Sequence, residues 1–112
     1  MKNLLTYLTA VAIVLVITGC SAQTTGNSSS KSVTASEVAQ HNNINDCWTI
    51  IHNNVYNITD FISQHPGGVD RIIKACGIDA TQLFETQDNS RGTHNDTARA
   101  ILDQHQIGIL AN

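Results

Sequence analysis

The chain's single proline lies in the stretch TDFISQHPGGVDRI, residues 59–72, directly after His65 and directly before Gly67 and Gly68. Proline fixes its own φ, carries no N–H, and pushes the residue before it out of the helical region. A helix bearing Phe61 and Ile62 must therefore end at His65. The two glycines have no Cβ, so the backbone can turn sharply and a bulky group can come close to it. Such a pattern aims one imidazole from a helix end into a cleft. An ordinary turn with a surface histidine is the competing reading of these four residues alone.

A second histidine has similar surroundings. His94 follows a segment in which Ala80, Leu83 and Phe84 share a helical face, and it precedes Ala98, Ile101 and Leu102 at i, i+3, i+4. Two short helical pairs, each with a histidine at its bend, form two walls of an apolar slot. Neutral imidazoles facing across such a slot suit haem iron. Zinc asks for three or four ligands, and neither CxxC nor HxxxH spacing occurs. No CxxCH occurs either, so a haem would be held without thioether bonds.

The remaining elements are short. Thr34 and Glu37 have capping-box spacing, with Val33 and Val38 as a hydrophobic staple. Residues 47–52 and 55–58 read as strands about an Asn53-Asn54 turn. Thr59 or Asp60 caps the helix that carries Phe61. Residues 69–75 form another, with Ile72 and Ile73 inward and Gly77 as its stop, and Asp79 caps a third. The polar run ETQDNSRGT reads as an exposed loop, and residues 107–110 as a closing strand. The expected class is α+β, short helices packed on a small sheet.

The N-terminal residues 1–20, MKNLLTYLTAVAIVLVITGC, describe an export signal: a basic start, an apolar run and small residues at the end. The run borders on the length of a membrane span, but the ending Ile17-Thr18-Gly19-Cys20 resembles the bacterial lipobox, whose cysteine is lipidated and becomes the mature N-terminus. Ser21 after it points to the outer membrane of a Gram-negative envelope. Residues 21–32 are rich in Ser, Thr, Gly and Asn and read as a flexible tether. Residues 33–112 form one domain with four basic and nine acidic residues, a formal −5. No basic patch is available to release counterions from nucleic acid. An acidic surface suits a basic protein partner, and it pushes a bound iron's potential down. With Cys20 assigned to lipid, Cys47 and Cys76 meet an oxidising compartment. They form a disulfide or stand as two buried thiols.

The runs HNNINDCWTIIHNNVYNITDFISQHPGG, IIKACGIDATQLFE and HNDTARAILDQHQIGIL closely resemble the cytochrome b5 family of haem-binding domains, over nearly all of residues 34–110. The resemblance implies two helix pairs forming a haem pocket on a small mixed sheet, and one non-covalent haem b with two axial histidines. It implies a monomeric carrier of single electrons between redox partners, and no enzymatic activity of its own. By the same resemblance His65 and His94 are the metal ligands, and Phe61, Ile72, Phe84, Ala98 and Ile101 line the pocket. Asn95 stands where the family often has a serine contacting a haem propionate, and Trp48 falls in a smaller core behind the pocket with Ile50 and Tyr56.

One departure stands out. The run FETQDNSRGTH, residues 84–94, is several residues longer than the family's stretch before its second ligand. Either the extra residues bulge out at small entropic cost and His94 keeps its place, or the ligand on that side is elsewhere, His105 being the one later histidine. His41, His52 and His105 are expected on the surface, His41 with a local hydrogen bond. The expected whole is a periplasm-facing, lipid-anchored b-type cytochrome. A haem or small-ligand binding or interaction module without electron transfer is the alternative.

Overall fold

The computed structural model describes residues 30–87 and 92–112. The export segment with Cys20, most of the 21–32 tether and residues 88–91 of the polar loop lie outside them.

A hairpin organises the sheet. β3 (Asp46–Ile51) and β4 (Asn54–Asn57) pair antiparallel around His52 and Asn53, whose φ values are 50° and 63°. Two successive positive values are what a two-residue type I′ loop requires. The turn thus sits one residue earlier than the expected Asn53-Asn54, and Asn54 pairs with Ile51 inside the ladder. β2 (Asn42–Asn43) lies outside β3, and β5 (Gln106–Leu110) lies beside β4. β1 (Ser32–Val33) runs parallel to β5, which makes the five-stranded sheet mixed, in the order β1-β5-β4-β3-β2.

Strand alternation divides the apolar residues between two faces. On one face Val33, Val38, Ile50 and Val55 are buried, with Trp48, Ile107 and Leu110 packed against them. α1 (Ala35–Val38) is held to this face by its cap. Thr34 Oγ1 accepts the Glu37 N–H at 3.1 Å, and Val33 and Val38 are both fully buried. Tyr56 was expected in this smaller core, but it belongs to the other face with Cys47, Ile51 and Ile58. The ladder explains the difference. Tyr56 pairs with Thr49 and Val55 with Ile50, and directly opposed residues share a face.

The second face carries the helical segments: a 3-10 stretch Thr59–Gln64, α2 (Val69–Ile72) continuing into a 3-10 turn Ile73–Ala75, α3 (Thr81–Thr86) and α4 (Asp96–Asp103). Ile72 packs on the core, whereas Ile73 is exposed. Neighbouring helical residues lie about 100–120° apart around the axis, so both cannot point inward. Thr59 does not cap its helix. Its hydroxyl accepts the Cys47 N–H at 2.9 Å and donates to Asn57 Oδ1 at 2.7 Å, which ties the helical layer to the hairpin. Asp79 takes the Thr81 N–H at 3.0 Å and hydroxyl at 2.6 Å, one residue before the helix cap position. Cys47 and Cys76 are joined Sγ to Sγ, Cα atoms 4.8 Å apart, and so link β3 to the end of the α2 segment.

Candidate functional site

His65 is the residue at which the first 3-10 stretch stops. Its φ and ψ of −66° and 118° are extended, as a residue before proline must be. Gly68, at φ 92°, then turns the chain into α2. The His65 ring folds back over Gly67, where a Cβ would sit 2.6 Å from the ring's Cε1. Its Nδ1 lies 3.1 Å from the Gly68 carbonyl oxygen. A carbonyl only accepts, so Nδ1 carries the proton and the Nε2 lone pair is left for another partner. The permissive side of the proline thus has two separate uses: Gly67 makes room for the ring, and Gly68 presents the carbonyl that orients it.

His94 is oriented the same way from the opposite wall. Its Nδ1 donates to the Phe84 carbonyl, and its ring stacks on the Phe84 ring at 4.3 Å and 4°. Asn95 follows it as the cap of α4, accepting the Ala98 N–H at 2.9 Å. That use occupies Asn95 Oδ1 and leaves its amide hydrogens to other acceptors.

The two imidazole centroids are 6.5 Å apart. A ring nitrogen lies about 2.0–2.1 Å from a bound first-row metal and roughly 1.1 Å from its own centroid, so two rings across one ion are about 6.3 Å apart. The observed spacing fits one metal ion held between two Nε2 atoms. Fixing a ligand's tautomer through its other nitrogen is the usual support for such a site. Among the described residues no group of three or more His, Cys, Asp or Glu is placed to hold a metal.

Between the rings lies a cavity of about 450 Å³, within the range of roughly 300–1,000 Å³ of sites that enclose a cofactor-sized ligand. Phe61, Ile72, Phe84, Ala98 and Ile101 line it, and so does Asn95. All eight residues singled out for a cofactor or metal therefore border one cavity.

Sequence reading missed part of its wall. Leu83 and Leu102 also face the cavity, and their helical spacing beside Phe84 and Ala98 was the available signal. Among the described residues, Arg71 and Lys74 are the lining's charged side chains, and no Asp or Glu borders the cavity. The acidic surface thus gives way to a basic lining at the site. His105, expected on the surface, is half-buried on the cavity wall, 5.5 Å from Phe61. It follows the C-cap of α4, and its carbonyl accepts the Asn57 N–H at 3.0 Å, which ties the end of the helix to β4. His41 is half-buried as well, stacked on Trp48 at 3.6 Å with Nδ1 2.8 Å from Asp46. His52 is exposed and meets Glu85 at 2.7 Å.

Residues 34–111 match the Cytochrome b5-like Heme/Steroid binding domain. The chain is 46% identical over 80 residues to cytochrome b5 of Borago officinalis, covering 71% of this chain and 57% of that protein. Against inducible nitrate reductase (NADH) 1 of Glycine max, identity is 43% over 84 residues, 75% of this chain and 9% of the reductase. The chain thus spans little over half of that cytochrome and under a tenth of the reductase. Ectothiorhodospira vacuolata cytochrome b558, a prokaryotic homologue of cytochrome b5, aligns with a TM-score of 0.69 at 32% identity, covering 72% of this chain and 99% of that one. With this fold, this paired-histidine cavity and these matches, the chain belongs to the cytochrome b5-like family of haem-binding domains.

Proposed function

We propose that this chain is an exported, lipid-anchored b-type cytochrome that holds one non-covalent haem between His65 and His94 and carries single electrons between other proteins. The observation that carries the reading is the pair of imidazoles 6.5 Å apart across an apolar cavity, each with Nδ1 committed to a backbone carbonyl.

When bound, haem supplies a one-electron iron couple. The protein's part would be to hold the iron with two oriented imidazoles, those of His65 and His94, so that the group could gain and lose an electron without a change of protein ligand. His65 is fixed by Gly68 and His94 by Phe84, and neither ring can flip without breaking its hydrogen bond. Phe61, Ile72, Leu83 and Ile101 exclude water from the macrocycle. Arg71 and Lys74 put positive charge on a lining that must receive the haem's carboxylates. Their charge also opposes the drop in potential that the acidic exterior favours. These devices serve a carrier rather than a catalyst, with donor and acceptor on separate chains. The net −5 of residues 33–112 supports a basic partner and an association that weakens with salt.

Export and anchoring rest on the basic start, the apolar run and the Ile17-Thr18-Gly19-Cys20 ending. They support a lipid-anchored domain in the bacterial cell envelope, facing the periplasm, and on the outer membrane where that envelope is Gram-negative. Cys20→Ala should move the protein from the membrane to the soluble fraction.

The decisive test of the whole reading is an absorption spectrum of the haem-loaded chain, oxidised and then reduced with dithionite, followed by a potentiometric titration. The expected result is a sharp low-spin reduced spectrum and a reversible one-electron wave. A folded protein that takes up haem but shows no reversible couple would leave a binding module. One that stays colourless would sink the cytochrome reading.

A further inference from the structure

The run from Phe84 to His94 is eleven residues long, yet His94 faces His65 across the cavity with ring centroids 6.5 Å apart. Contacts among the described residues hold it there. We infer that Glu85 is the positioning residue for His94, clamping the segments on either side of the ligand so that the loop's length does not set the ring's place. This inference rests on His94 being a haem ligand.

The geometry is a four-way junction on one carboxylate. Glu85 Oε1 accepts from Arg99 Nη1 at 3.0 Å and from His52 Nε2 at 2.7 Å. Its Oε2 accepts from Arg99 Nη2 at 2.8 Å and from the Thr93 hydroxyl at 2.8 Å. Arg99 Nη2 also reaches Thr93 Oγ1 at 2.9 Å, closing a triangle. Thr93 is the residue before His94, and Arg99 lies on α4 directly after it. Glu85 itself follows Phe84, whose carbonyl and ring both hold His94. The Arg99 guanidinium stands 5.3 Å from the centre of that same Phe84 ring. Gln87 adds a grip from the loop's near end, donating to the Thr93 carbonyl at 3.0 Å. The junction therefore ties the hairpin turn, α3, the loop's exit and α4 at one point beside the ligand. A planar guanidinium met by both carboxylate oxygens fixes direction as well as distance.

The pair is partly exposed, with 39% and 31% of the Arg99 and Glu85 side chains accessible. Ion pairs in that setting add little to global stability. Their effect should therefore appear in ligation rather than in melting.

The test uses the haem-loaded full chain and measures haem loss to an excess of apomyoglobin, the spin state by absorption, and the melting of the haem-free protein. Glu85→Ala should speed haem loss about tenfold or more, the range for removing an outer partner of a ligand, and add a high-spin fraction while haem-free melting scarcely moves. Glu85→Gln, which keeps the shape and part of the hydrogen bonding, should fall between, and it serves as the readout if the alanine variant does not fold. On a His94→Ala background Glu85→Ala should add less than about twofold, because two changes acting through one group are not additive. Equal effects in both backgrounds, or unchanged haem loss in both Glu85 variants, would overturn the inference while leaving the ligand assignment intact. A His94→Ala protein with an unaltered spectrum would overturn the ligand assignment and this inference together.

Discussion

His65 and His94 reach the cavity from different helical pairs, 29 residues apart in sequence, and their ring centroids stand 6.5 Å apart with planes inclined by 41°. Each ring spends its Nδ1 on a backbone carbonyl, so each offers Nε2. Either substitution to alanine should remove one of the two imidazoles offered to a haem iron. The expected outcome is a high-spin spectrum for each variant, returned to low-spin by added imidazole. His105 is the other imidazole on the cavity wall. A variant that stays low-spin without added imidazole, and loses that state on His105→Phe, would move the ligand to His105.

Gly67 and Gly68 should fail differently when replaced. A Cβ on Gly67 meets His65 Cε1 at 2.6 Å, so Gly67→Ala displaces the ring. Overpacking of this kind costs about 1–3 kcal/mol, and here part of it should appear as faster haem loss and an altered spin state. A Cβ on Gly68 meets nothing within 4 Å, but φ is 92°, which L residues rarely adopt. Gly68→Ala should therefore lower stability by roughly 1–3 kcal/mol and leave the spectrum nearly unchanged. Urea unfolding beside absorption spectra separates the two. Equal spectral damage in both variants would argue against a ring-packing role for Gly67.

The Cys47–Cys76 link spans 29 positions. Loop-closure entropy for a span of that size stabilises a domain by about 3–4 kcal/mol. Cys47→Ala with Cys76→Ala should then lower Tm by roughly 15–25 °C for a domain of this size. Mass spectrometry of the denatured, unreduced protein should show no alkylation at either cysteine, and two additions after reduction. Two alkylatable thiols before reduction would remove the bridge from the account.

Acid should expose the Glu85 junction. The hydrogen bonds from Arg99, with those from His52 and Thr93, hold the Glu85 carboxyl down to about 2 from 4.5. The folded value lies below the unfolded one, so the contribution is fully present above about pH 4.5 and drains away as pH falls through about 2. That contribution to global stability is small because the pair is partly exposed, so the titration itself is the readout. An NMR titration of the Glu85 side-chain carboxyl in the haem-free protein should show a midpoint near 2, and Arg99→Ala should move it towards the ordinary glutamate value. A midpoint near 4.5 in the wild type would mean that the carboxylate is not held in the folded state.

Local chemistry made much of this fold readable. Pro66 could only end a helix at His65, and Thr34 with Glu37 could only start one, because these are effects of a few neighbouring atoms. Period-3.6 spacing placed Leu83 with Phe84 and Ala98 with Ile101. Whether those faces meet one another or border a cavity was not legible, since an apolar side chain looks the same in sequence against a core or against an empty slot. Tyr56 and the His52-Asn53 turn went astray because a shift of one residue in strand register exchanges the two faces of the sheet, and register is set by pairing across strands. His105 read as a surface residue for a similar reason: its neighbours in sequence are polar, and its neighbour in space is Phe61. By itself the sequence determined which histidines could be aimed and where the helix before Pro66 had to stop, through constraints that act within a few bonds. Only the tertiary structure decided that the two imidazole centroids stand 6.5 Å apart across one cavity and that Glu85 grips the chain on either side of His94, because those distances are closed by contacts between segments far apart along the chain.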